Sequence, residues 1–323
     1  MNKKKIKIIF VTYHYLKRQD EFNRIWGHDF SLFKKHIKFY KKNYLPINPQ
    51  DFFDFMEGKD VELPERCSVI SFDDSLKEQS KIIAPYLNKL DIRAIYNISP
   101  CVFHGEPLNS QIIHFSMAYY GIRNFVKQVK DELHVIEKDY KKFKVFLNFN
   151  KDILSISSSI KNFFNNEIKH EEARKLLLIV WEKYMLKDIP DAFYKIHMDK
   201  NDVINLHKQG NTIGLHSYSH SLINDNTFNK ELFSKEIKQG KEALEEVIRS
   251  EVDCFGYPYG FKEDVLQKKE NIDMLSDIGL KYLFTVYDNK KFEPNFIGRY
   301  SSQGRDKLSI LKNNIWEYEI SNN

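Results

Sequence analysis

The chain has 323 residues, enough for one large α/β domain or two small ones, and its 42% hydrophobic content supplies a full core, which excludes wholesale disorder. The net charge of +5, from 50 basic and 45 acidic side chains, is a mild and scattered excess that excludes a nucleic-acid footprint. Cys67, Cys101 and Cys254 are odd in number and widely spaced, which excludes a disulfide framework and a cysteine-based metal motif.

The first strand is expected over Lys5–Tyr13, rich in β-branched and aromatic residues. The basic Met1–Lys7 and apolar Ile8–Val11 faintly resemble a signal peptide, but the apolar stretch is too short and no cleavage site follows. No run reaches the length of a membrane span. A cytoplasmic protein is expected, with peripheral membrane attachment as the alternative. Helical spacing of Phe30, Phe33, Ile37 and Tyr40 predicts a helix over Asp29–Lys42. Cys67–Phe72 reads as a strand, Leu76–Leu90 as a helix and Arg93–Ile98 as a third strand. This βαβαβ order calls for parallel strands with crossover helices.

From residue 104 to 196 no strand is expected. Helical spacing recurs through Phe125–Leu147 and Glu171–Leu186, interrupted at Ser155–Ser159. This predicts a largely helical insertion, either a lid over the site or a packing elaboration. Alternation then resumes: helix Asp199–Lys208, strand Thr212–His216, helix Phe228–Ile248, strand Val252–Tyr257, helix Lys262–Ile278, strand Lys281–Val286, a last strand Phe296–Tyr300 and a final helix Asp306–Asn313. About seven strands alternating with helices suit a (β/α) barrel, in which chemistry sits at the C-terminal strand ends. The whole of 1–323 is expected to form one barrel domain, with 104–196 inserted in it.

Three constellations fall at strand ends: Ser71-Phe72-Asp73-Asp74-Ser75, His216-Ser217-Tyr218-Ser219-His220, and Phe255-Gly256-Tyr257-Pro258-Tyr259-Gly260. Two imidazoles and a carboxylate form a ligand set for Zn²⁺ or another first-row divalent ion. Such an ion lowers the pKa of a bound water from ~15.7 to about 7 and polarises a carbonyl. A neighbouring carboxylate can take the water's proton. Adjacent aspartates can divide these tasks because successive side chains diverge. Taken singly each piece is weak: an Asp-Asp pair is more often a helix cap or a solvated turn, and a lone His is usually structural.

Together these residues resemble the polysaccharide deacetylases of carbohydrate esterase family 4. The first motif is similar to T-F-D-D-G, the second fits H-[ST]-x-x-H, and Phe255–Gly260 is similar to F-A-Y-P-Y-G. The resemblance covers roughly 5–100 and 197–300 and leaves the helical stretch outside. It implies an α/β fold, a distorted (β/α)7 barrel. It also implies Asp73 as general base, Asp74, His216 and His220 as ligands of a divalent metal (Zn²⁺ first, Co²⁺ or Ni²⁺ as alternatives), and the Tyr259 N–H as oxyanion donor. Ser75 replaces the usual Gly, and Gly256 stands where many members carry an Arg that orients the base. Arg299 is the expected substitute, against the alternative of an ordinary ion pair. No His follows His220, so the usual late general acid is missing. A branch with permuted motifs uses an N-terminal His, and His14 in Thr12-Tyr13-His14-Tyr15 is the expected acid here. The other eight histidines, His134 and His170 among them, read as bland, while Tyr218 or Tyr257 could stack on a sugar ring.

The expected activity is therefore metal-dependent hydrolysis of the N-acetyl, or another N-acyl, group of a sugar. A cytoplasmic setting would point to a lipid-linked or nucleotide-linked precursor or a growing surface glycan. Two alternatives stand beside it: a non-catalytic glycan-binding barrel, and a metal-dependent hydrolase of a small non-sugar amide.

Overall fold

The computed structural model describes residues 5–135, 156, 159–160, 162–168, 170–221, 229–259, 268–286, 292–293, 296–302, 304 and 306–321. Its strands are β1 (Ile6–Tyr13), β2 (Leu45–Pro46), β3 (Arg66–Phe72), β4 (Ile95–Ile98), β5 (Thr212–Leu215), β6 (Cys254–Gly256), β7 (Tyr282–Thr285), β8 (Ile297–Gly298), β9 (Tyr300–Ser301) and β10 (Tyr318–Ile320). The order β1-β3-β4-β5-β6-β7-β8 is parallel at every step. β8 and β9 are two halves of one extended stretch around Arg299. The first half pairs with β7 and the second with β1, so the ring nearly closes on itself. Counting that stretch once gives seven parallel barrel strands, the expected (β/α)7 barrel.

Two short strands lie off the ring. β10 runs antiparallel to the start of β1, and β2 pairs with the start of β3. Both sit where barrel strands splay apart at the N-terminal end. Neither was expected, because runs of two or three residues carry no period. The helix Pro49–Met56 was also not expected. Asn48 accepts from the Gln50 N–H and Pro49 fills the first turn, where a missing N–H costs nothing.

Alternation along the strands sorts two cores. Ile6, Ile8 and Phe10 of β1, with Cys67 and Val69 of β3, Phe284 and Ile297, fill the barrel interior, and Phe52, Phe53 and Phe55 of the Pro49–Met56 helix pack into it. Ile9, Val11, Ile70 and Leu215 face the outer helices. Above the apolar plug the inward positions turn polar, at Thr12, Ser71, Asp73 and Asn97. All four are at most 1% exposed. Among the described residues the inward carboxylate and amide side chains gather at the C-terminal end of a filled interior, which places the chemistry at that mouth.

Between β4 and β5 the described residues are helical: Asn109–Tyr120, Ile122–Glu132 and His170–Val180 share a third core of Ile112, Phe115, Val129, Leu177 and Trp181. The expected helix Phe125–Leu147 is α-helical to Glu132 and tightens to a 3-10 turn over Leu133–Val135; residues 136–147, and most of Ser155–Ser159, lie outside the described residues. The same holds for Phe228 at the start of one expected helix and for 262–267 of another. The helix expected from Leu76 begins at Lys77 instead, because Leu76 is taken by a bridge to His197, and a wide π turn over Gln79–Ile83 carries it into Ala84–Asn88. Among the described residues no helix is long and apolar enough to cross a membrane.

Candidate active site

Asp73 and Asp74 leave the end of β3 in different directions. Asp73 continues the inward alternation and sits at the head of the barrel interior. Asp74 adopts φ 78° and Ser75 φ 56°, a left-handed turn that L-residues enter at a cost. The turn sends the Asp74 carboxylate towards the loop after β5. There Ser217 and His220 are also left-handed, at φ 53° and 58°, as is Tyr259 after β6 at φ 63°. Only Asp91 and Arg249 among the other described non-glycine residues have positive φ. Backbone strain is thus concentrated at one end of the barrel.

The strained loops bring three ligand-type groups together. Asp74 Oδ1 lies 3.3 Å from His216 Nε2 and 3.2 Å from His220 Nε2. His216 Nδ1–H donates to the Gly256 carbonyl at 2.7 Å, which leaves Nε2 with its lone pair towards Asp74. All three residues are buried, and their donor atoms lie within 4.8 Å of one another. Asp74 Oδ1 has no hydrogen-bond donor. A buried carboxylate oxygen without a donor, facing two imidazole nitrogens, fits a divalent cation of the zinc type.

The charges agree with this arrangement. Burial works against the ionised form of Asp74, but the adjoining imidazoles of His216 and then His220 outweigh it and hold the carboxyl well below its ordinary range. Burial lowers His220, while His216 is raised because Asp73 and Asp74 together overcome its burial. The two imidazoles differ because His216 faces both carboxylates.

Asp73 stands beside this cluster with its own partners. Arg299 Nη1 donates to Oδ1 and Nη2 to Oδ2, each at 2.9 Å. Asn97 Nδ2 donates to Oδ1 at 2.6 Å, and Gln79 Nε2 donates to the Asp73 carbonyl at 2.6 Å. Burial pushes the Asp73 carboxyl up, yet Arg299, then His216 and His14, hold it below the ordinary carboxylate value. His14 Nε2 is 3.9 Å from Asp73 Oδ2, with its side chain 30% exposed. His14 therefore borders solvent where Asp73 does not. The Tyr259 ring packs edge-on against His220 with centroids 4.6 Å apart.

All seven singled-out residues, His14, Asp73, Asp74, His216, His220, Tyr259 and Arg299, are thus at one mouth. Gly260 lies outside the described residues. Ser75 tolerates the position of a family Gly because its Oγ accepts from the Ser99 N–H at 2.9 Å, which supports the left-handed turn. Gly256 has no room for a side chain: a Cβ there would lie 2.7 Å from Asn97 Nδ2. Tyr257 is 1% exposed and packs on Phe255 and Phe296, so burial removes it as a platform for a sugar ring. His170 is not bland: its Nε2 is 2.9 Å from Ser221 Oγ, next to His220. Asn97, Gln79 and Gln111 were missed from the sequence. The available signal was a polar residue inside an apolar strand (Ile95-Tyr96-Asn97-Ile98); the two glutamines, 0% and 1% exposed, had none in the sequence.

A parallel barrel with an Asp-His-His cluster and a clamped aspartate at its C-terminal mouth is the frame of a barrel hydrolase. The family model described as polysaccharide deacetylase matches residues 171–282, which hold both histidines and Tyr259. Similar folds are found in the Streptococcus pyogenes deacetylase PplD in complex with acetate (11% identity, TM-score 0.55, covering 98% of this chain and 100% of that one). IcaB from Ammonifex degensii has 13% identity and TM-score 0.52, with 92% of each chain covered. A de-N-acetylase from Aggregatibacter actinomycetemcomitans has 15% identity and TM-score 0.53, covering 95% of this chain and 99% of that one. No curated protein matches the chain by sequence. Residues 171–282 thus resemble the polysaccharide deacetylase family, and the chain shares the barrel fold of the deacetylases named above.

Proposed function

We propose that the protein is a metal-dependent N-deacetylase acting on an N-acetylated sugar within a glycan or a glycan precursor. The observation that carries this reading is the convergence of Asp74, His216 and His220 beside a second buried carboxylate, Asp73, that is not part of the triad. Support for an acetyl substrate comes from the family and from the neighbours named above, one of them crystallised with acetate.

In this reading Asp74, His216 and His220 would hold a divalent cation, Zn²⁺ by its liking for mixed imidazole and carboxylate donors. When bound, the cation supplies Lewis-acid activation of water and of the acyl oxygen. Asp73, kept ionised and fixed by Arg299 and Asn97, takes the proton of the attacking water as the new C–O bond forms. The Tyr259 N–H is assigned to the oxyanion. His14, at the solvent edge, gives its proton to the sugar nitrogen as the C–N bond breaks, and acetate and an amino sugar leave. Residues 104–196 form an insertion within a single barrel domain. A cytoplasmic, biosynthetic substrate that is lipid- or nucleotide-linked is part of the same proposal.

The deciding experiment measures metal by elemental analysis and acetate release from N-acetylglucosamine oligomers. Stoichiometric metal and acetate release are expected, both lost in Asp74→Ala. Asp73→Asn should keep the metal and lose about 10²–10⁴-fold in turnover. Metal loss in Asp73→Asn with partial activity would reverse the roles of the two aspartates, and absence of metal from the wild type would overturn the reading.

A further inference from the structure

The chain leaves the barrel after β4 and returns to it before β5. On this excursion its described residues touch the loops that carry Asp74, His216 and His220 repeatedly. On the way out, the Ser99 N–H donates to Ser75 Oγ at 2.9 Å, Ser99 Oγ donates to the His216 carbonyl at 2.8 Å, and the Cys101 N–H donates to the Tyr218 carbonyl at 3.0 Å. From the first long helix, Gln111 Nε2 donates to the carbonyl of Asp74 itself. From the third, His170 Nε2 meets Ser221 Oγ at 2.9 Å. On the way back, the Met198 N–H donates to the Ser75 carbonyl at 2.9 Å.

These contacts fall where support is needed. Asp74, Ser75, Ser217 and His220 are all left-handed, and such conformations persist only where surrounding structure fixes them. The β5 loop is held on its far side by alternate serines. The Ser221 N–H donates to Ser217 Oγ at 3.1 Å, while Ser219 Oγ donates to Glu236 Oε1 at 2.8 Å and lies 3.0 Å from Ser221 Oγ. His170 closes this set from the excursion. Gln111 is 1% exposed, so its bond to Asp74 is made in a dry setting where a lost donor is costly.

We infer that the helical excursion between β4 and β5 is the scaffold of the metal-ligand loops, and that Gln111 and His170 are positioning residues of the site. This rests on reading Asp74, His216 and His220 as the ligand triad. It replaces a lid, which would open, by a fixed clamp, which cannot open without releasing the ligands.

The test compares Gln111→Met and His170→Phe, which keep volume and remove the hydrogen bonds, with Tyr120→Phe. The last removes the Tyr120–Asp188 bond at 2.8 Å, in the same excursion but touching neither loop. Zn²⁺ affinity is measured by calorimetric titration, and amide hydrogen exchange of 74–76 and 217–221 is followed in metal-free protein. Gln111→Met and His170→Phe are expected to lose about 10–100-fold in metal affinity and to exchange faster in both loops, with Tyr120→Phe unchanged. If His170→Phe does not fold, Ser221→Ala removes the same contact from the other side. Unchanged affinity and exchange in folded variants would overturn the inference. If the wild type binds no Zn²⁺, the ligand reading fails separately, and loop exchange alone decides the scaffold.

Discussion

Arg299 and Asp73 form a closed two-armed pair, with both nitrogen–oxygen distances 2.9 Å and both residues 1% exposed. Arg299 sits at the joint between β8 and β9, where the barrel ring passes from β7 to β1, so one residue links ring closure to the candidate base. Removing it strands a carboxylate away from water with Asn97 as its remaining side-chain donor. Arg299→Ala is expected to cost about 3–5 kcal/mol of stability in urea unfolding. Arg299→Lys keeps the charge but cannot bridge both oxygens. It should unfold nearer the wild type and still lose most turnover. A Lys variant with full activity would reduce Arg299 to charge balance.

Asn97 reaches Asp73 through a slot made by two glycines. A Cβ at Gly214 would lie 2.3 Å from Asn97 Oδ1, and one at Gly256 2.7 Å from Asn97 Nδ2. Both neighbours are confined side-chain atoms, so the clash cannot relax into solvent. Gly214→Ala and Gly256→Ala are each expected to destabilise by about 1–3 kcal/mol. Asn97→Ala should relieve both, so the Asn97→Ala/Gly256→Ala protein should be more stable than the sum of the single changes requires. Strict additivity in urea unfolding would mean that the slot does not hold Asn97.

The uneven legibility of this site follows from where each signal lies. Asp73-Asp74 and His216–His220 are contiguous motifs at strand ends, and strand alternation was enough to place them. Arg299 was found because the resemblance calls for an arginine that orients the base, Gly256 stands in its place, and Ile297-Gly298-Arg299-Tyr300 offers one on another strand. Asn97, Gln111 and His170 carry no spacing. Their partners lie 24, 37 and 51 residues away, and only the fold brings them together. Tyr257 misled because its neighbours in sequence are site residues, while its alternation along the strand turns it into the core. The Pro49–Met56 helix escaped notice because eight residues, three of them Phe, give no clear period, although Asn48-Pro49 was a readable start.

His14 differs from the rest of the site in being 30% exposed and 3.9 Å from Asp73 Oδ2, close enough to share the reacting centre and open enough to exchange its proton. His14→Ala and His14→Gln are expected to lower kcat by about 10²–10³-fold with metal content and unfolding midpoint unchanged. The effect should shrink on an acetyl ester of a good leaving alcohol, which departs without a proton. Near-full amide hydrolysis in His14→Ala would remove it from the mechanism, and equal losses on amide and ester would make it a structural residue.

Glu78 is 4% exposed; Arg18 Nη1 lies 3.1 Å from Oε2, and Oε1 has no hydrogen-bond donor. Burial raises its carboxyl from an ordinary 4.5 to about 7, with Arg18 only partly opposing. Because the folded value lies above the unfolded one, the native state holds the proton more tightly. The resulting stability is complete below about 4.5 and is lost as pH rises through 7. A shift of that size corresponds to about 3 kcal/mol. Comparing urea unfolding at pH 5 and pH 8, the wild type should lose up to about that amount relative to Glu78→Gln, whose amide does not titrate. The two proteins share every other titrating group, so the difference isolates this one. Parallel stability profiles across that range would mean that Glu78 stays ionised and that Arg18 fully compensates its burial.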